Sequence, residues 1–92
     1  MEVFIAFGSH YLEVRSYVGG GTVSEMLKLG AALCQEGLRL AVALGLPPPH
    51  EARVASTYLG VTLICEIEYG TTAQDQAIRQ FAKNQGWKIS RK

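Results

Sequence analysis

The chain has 92 residues, 48% of them hydrophobic, and a formal net charge of +1. That is the length of one small domain, and we read residues 1–92 as a single α/β domain. The balance excludes a disordered chain, which combines low hydrophobicity with high charge. It also excludes a membrane span, because no run approaches the roughly 20 apolar residues a bilayer requires.

The N-terminus has no basic region ahead of an apolar one, so no secretory signal is expected. Cys34 and Cys65 fall within apolar patterns and have no metal-ligand spacing. They are expected as core thiols rather than as a disulfide, in a cytoplasmic protein. So much apolar material in a small domain, which buries a low fraction of its surface, leads us to expect self-association as a homodimer. Charge is uneven: residues 1–78 carry net −4 and residues 79–92 net +5. A basic end on an acidic body attracts anions.

Glu2 to Phe7 is a short apolar run bounded by Gly8 and Ser9, read as a buried strand. Tyr11 to Val18 alternates, with Leu12, Val14, Ser16 and Val18 on one face and Tyr11, Glu13, Arg15 and Tyr17 on a wet face. The connection Gly8-Ser9-His10 suits a hairpin, so these two strands are expected to be antiparallel. Gly19-Gly20-Gly21 then leads into Thr22, which with Glu25 has the spacing of a capping box. Val23, Met26, Leu27, Gly30, Leu33 and Cys34 form the apolar stripe of a helix. Gly37 has the character of a helix stop, and Leu38, Leu40, Val42 and Leu44 follow at strand spacing. The rival is a single helix from Thr22 to Gly45, because Leu and Ala favour helix.

Gly45-Leu46-Pro47-Pro48-Pro49 is a loop. A short helix is expected from about Pro49 to Leu59, burying Val54, Ala55, Tyr58 and Leu59. Val61 to Tyr69 is a strand with Val61, Leu63, Cys65, Ile67 and Tyr69 on one face. Thr72 and Asp75 open a last helix that buries Ala77, Ile78, Phe81 and Ala82. Gly86 stops it, Trp87 folds back onto Phe81 or Ala82, and Trp87 to Ser90 adds a short strand. Helical patterns thus end in Gly plus an apolar residue three times, at Gly37, Gly60 and Gly86, the alternation of an α/β domain. The expected fold is a mixed, mostly parallel sheet of about five strands, a β-hairpin followed by α-β-α-β-α-β, with three helices. The runner-up keeps Thr22 to Gly45 as one helix over an antiparallel sheet.

In the parallel version, loops leaving the strand C-termini gather on one edge with the helix N-termini, a setting for anions. The ligand-binding residues expected there are Gly19, Gly20, Gly21, Thr22, Ser24, His50, Thr71, Thr72, Lys88, Arg91 and Lys92. His10, in the hairpin turn, would face the opposite edge. No G-x-G-x-x-G and no P-loop is present, and a plain turn between strand and helix accounts for the glycines better than a phosphate cradle does. His50 is the one candidate acid or base, without a recognisable catalytic partner set. Glu66 and Glu68 share a strand face and read as a carboxylate pair or as a solvated face. No metal or cofactor is implied. Tyr11, Glu13, Arg15 and Tyr17 form a face of interface composition.

Three functions follow. The leading one is a non-enzymatic binder of an anionic ligand, a nucleotide or a nucleic-acid backbone. The alternative is a protein-interaction module or small inhibitor acting through the tyrosine-bearing face. The third is a phosphoester-acting enzyme using His50.

Overall fold

The structure is a computed structural model that describes residues 1–19, 21–57, 60–70 and 72–90. Among the described residues, five strands and two helices follow one another as β1 (Phe4–Phe7), β2 (Tyr11–Tyr17), α1 (Val23–Leu44), β3 (Arg53–Thr57), β4 (Gly60–Glu68), α2 (Thr72–Gln85) and β5 (Lys88–Ile89). They make one mixed sheet ordered β3-β4-β2-β1-β5. The β1–β2 hairpin is antiparallel, as its short turn requires, with Ile5 opposite Val14. The β2–β4 and β3–β4 pairs are antiparallel too, and among the described strands only β1 and β5 run parallel. The expected mostly parallel sheet with three helices is therefore corrected to a mostly antiparallel sheet with two.

Two local readings account for that difference. The first is Gly37. Residues 22–45 form one helix with Gly37 inside it, so the strand expected at 38–44 does not exist. Gly37 is buried where α1 faces β4: a Cβ built there would stand 3.5 Å from Ile67, 3.6 Å from Pro49 and 3.7 Å from Cys65. Gly37 is thus a helix-interior residue in contact with the sheet, not a left-handed turn. The stop comes at Gly45, which is left-handed at φ 68° and donates its amide to the Ala41 carbonyl.

The second is residues 53–57, expected as helix and observed as edge strand β3. The β-branched Val54 and Thr57 favour a pleated strand, and Pro47 to Pro49 deliver the chain extended. Its register runs from Arg53 opposite Ile64 to Thr57 opposite Gly60. Gly60, at φ 111°, belongs to the hairpin rather than to a helix stop. Tyr58 and Leu59 of the expected helix lie outside the described residues.

The last third of the chain follows its sequence closely. α2 buries Ile78 and Ala82 completely. The Trp87 amide reaches back to the Ala82 carbonyl at 2.8 Å, beside Gly86 at φ 75°. Its ring meets Phe81 edge-on, 5.5 Å between centroids. That is a Schellman stop with its apolar contact, and it gives Trp87 a packing role.

Both helices pack on one face of the sheet. The core joins Leu33, Leu40 and Ala41 of α1, Ile78 and Ala82 of α2, and Ile5, Leu12, Val14, Leu63, Cys65 and Ile67 of the strands. The N-terminal half of the expected α1 stripe is not buried: Val23 is 74% and Leu27 70% exposed. No helix of the described residues is long and apolar enough to cross a membrane.

Candidate functional site

With both helices on one side, the other face of the sheet carries no helix of the described residues. Cross-strand pairing sets what lies on it. One row is Phe4, Arg15, Ile64 and Arg53; the next is Ala6, Glu13 and Glu66; Tyr17 pairs with Thr62, and Tyr11 with Glu68. Tyr17 is exposed and lies over Phe4, with ring centroids 4.8 Å apart and planes tilted by 31°.

The alternation in β2 predicts Tyr11, Glu13, Arg15 and Tyr17 on this face, and the structure puts them there. It corrects one property, since Glu13 is only 5% exposed and so is not wet. Arg15 holds one carboxylate oxygen of Glu13, its Nε at 3.0 Å. Arg53 donates to the other at 3.1 Å and to Glu66 at 2.9 Å. The two guanidiniums and two carboxylates thus form a chain across three strands. Each carboxylate has a cation, as a buried charge requires. The Arg53 guanidinium is held above its ordinary pKa, chiefly by its bond to Glu66. Arg53 was missed by sequence reading because it was placed in a helix; nothing local in the sequence marks it as a partner of Glu13, 40 positions away.

At the hairpin end of this face an open cavity of about 510 Å³ is lined by His10, Tyr11, Pro47, Glu66, Glu68, Tyr69, Gly70 and Gln74. The Tyr69 amide donates to the His10 carbonyl at 3.0 Å, so His10 stands on the same edge as Gly70, not on the opposite one. The His50 amide donates to the Glu66 carbonyl at 2.8 Å, and its Nε2 lies 3.6 Å from Glu68. Both side chains of that contact are largely exposed, so it contributes little. Tyr69 itself is half-buried, and burial raises its phenol above the usual range.

Among the described residues the expected anion edge is not gathered in one place. β2 runs antiparallel to β4, so the loop leaving β2 and the loop leaving β4 lie at opposite ends of the sheet. Gly19, Gly21, Thr22 and Ser24 are at one end; His50, Gly70 and the start of α2 at Thr72 are at the other. The α1 N-terminus is also occupied. The Thr22 hydroxyl takes the Glu25 amide at 3.1 Å and lies 3.2 Å from the Glu25 carboxylate, an acid already at the positive end of the dipole. Lys88 is paired with Glu2 at 2.8 Å, a contact that raises the pKa of Lys88 and lowers that of Glu2. Gly20, Thr71, Arg91 and Lys92 lie outside the described residues. No group of three or more His, Cys, Asp or Glu among the described residues has the arrangement to hold a metal ion.

Compared with protein-family models, curated proteins and solved structures, the chain matches none.

Proposed function

We propose that the protein is a protein-interaction module that engages its partner through the helix-free face of the sheet. The observation that carries this is the surface itself: exposed Tyr17 on Phe4, beside the Arg15–Glu13–Arg53–Glu66 chain. Tyrosine and arginine are the residues protein interfaces favour, and their truncation typically costs most. Charges already bonded to each other are pre-arranged for a partner and lose less freedom on binding. The anion-binding reading has less support, because its residues are split between two ends of the sheet and Glu25 already sits at the α1 start.

The test places a photo-crosslinking residue at position 17, with position 28 on the exposed side of α1 as control. A specific adduct at 17 that Arg15→Ala abolishes supports the interface. Equal labelling at both positions, or none, refutes it. A thermal-shift screen of nucleotides and short oligonucleotides tests the rival: a midpoint raised at low salt and lost at high salt would favour anion binding.

Homodimerisation is a second proposal, and a different observation supports it. Val23, Leu27 and Val54, the last 55% exposed, line an apolar groove of about 450 Å³ between α1 and edge strand β3. Among the described residues β3 pairs only with β4, which makes it an edge strand that a strand of a second copy can extend. Sedimentation at micromolar concentration decides it: a clean 10.0 kDa monomer refutes the dimer.

A further inference from the structure

Cys34 comes from the middle of α1 and Cys65 from the middle of β4. The fold brings their sulfurs to 3.4 Å, across 31 positions of sequence. Their surroundings differ. Cys65 is fully buried, and its thiol donates to the His50 carbonyl at 3.0 Å. Cys34 is half-buried and lines the groove between α1 and β3. An oxidant entering that groove therefore meets Cys34 first, with the second sulfur already in van der Waals contact behind it. Reactive cysteine pairs have this arrangement, an accessible thiol beside a resolving one.

We propose that Cys34 and Cys65 are an oxidation site, a dithiol that a hydroperoxide converts into an intramolecular disulfide joining α1 to β4. In the first step the Cys34 thiolate attacks one peroxide oxygen. The O–O bond breaks, the sulfur is oxidised to sulfenic acid, and the other oxygen leaves as hydroxide or alkoxide. In the second step the Cys65 sulfur attacks the Cys34 sulfur, the S–O bond breaks, and the departing hydroxide takes the Cys65 proton as water. The two thiols lose two protons and two electrons in all, and hydrogen peroxide becomes two waters, or an alkyl hydroperoxide an alcohol and one water.

The order of attack follows from burial. It pushes the Cys65 thiol up to about 12, so this thiol stays protonated near neutral pH and does not supply the first thiolate. Oxidation also has a structural consequence. The His50 carbonyl loses the Cys65 S–H donor, and His50 lies 3.6 Å from Glu68 at the cavity edge.

The experiment treats the full chain with hydrogen peroxide at near-neutral pH. The product is then denatured, alkylated with an iodoacetamide reagent, and measured by intact mass. Before treatment two alkyl groups per chain are expected. After it, the chain should take none, weigh two hydrogens less, remain a monomer on a non-reducing gel, and recover both alkylations on reduction. Cys34→Ser should abolish the mass loss. Cys65→Ser should instead leave a Cys34 sulfenic acid that dimedone captures. The parent chain alone suffices if either variant does not fold. Two alkylations persisting under peroxide that oxidises free dithiothreitol would overturn the proposal, as would disulfides found only between chains.

Discussion

Glu13 and Glu66 stand directly opposite each other across the β2–β4 ladder, and one guanidinium, that of Arg53, bonds to both. Like charges in facing positions repel, so Arg53 is what makes this pair compatible with the sheet. Arg53→Ala should lower stability by about 1–2 kcal/mol, a hydrogen-bonded charge discounted for the solvent exposure of Arg53. Adding Glu66→Gln to that variant should restore part of the loss. Urea titration of the parent, Arg53→Ala, Glu66→Gln and the double variant closes the cycle. A loss from Arg53→Ala no larger than ~0.3 kcal/mol would show that the bonds are incidental.

Gly37 and Gly45 should respond to alanine with opposite signs. At Gly37 the added methyl meets Ile67, Pro49 and Cys65 at ordinary contact distances of 3.5 to 3.7 Å. Helix propensity then dominates, and Gly37→Ala should stabilise by ~0.5–1 kcal/mol. At Gly45 there is space, but φ is 68°, so Gly45→Ala should cost about 1 kcal/mol through backbone strain. Thermal midpoints moving the same way in both variants would contradict the helix boundaries.

Thr22→Ala removes the acceptor of the Glu25 amide and should cost about 1 kcal/mol. The loss should be matched by fraying of the first turn of α1 in amide exchange, with β4 unchanged. Protection at residues 23–26 equal to the parent would argue that the cap contributes nothing.

Alkaline pH should destabilise the fold through Cys65. Burial, reinforced by the Cys34 thiol, raises its pKa from 9.0 to about 12. The folded state holds the proton more tightly than the unfolded chain. The associated stability is therefore complete below pH ~9 and falls as pH rises from there through ~12, by up to ~1.4 kcal/mol per pH unit. Urea midpoints from neutral pH into this window should slope less in Cys65→Ala than in the parent, whatever the variant's starting stability. Parallel slopes would remove Cys65 as the cause.

What was legible in the chain is what neighbouring residues determine among themselves. The β1–β2 hairpin followed from a short polar turn between apolar runs. The inward face of β4 followed from alternation, and α2 from its stripe and the Gly86-Trp87 stop. In each case the signal and its structural consequence lie within one or two turns of backbone. The face carrying Tyr11, Glu13, Arg15 and Tyr17 was legible for the same reason.

Two features were decided by tertiary structure. Gly37 reads locally as a stop; it lies inside a helix because the α1 residues on both sides of it, Leu33, Leu40 and Ala41, are buried in the shared core. Residues 53–57 have no strong period of their own and become a strand because β4 supplies a partner. That choice reversed the direction of the sheet, separated Gly21 from His50, and put Arg53 beside Glu13 and Cys34 beside Cys65. Hydrophobic period and turn chemistry act over a few residues, so the sequence by itself determined which segments have an inside. Which insides face each other depends on pairing and burial between segments tens of residues apart, and only the folded chain decides that.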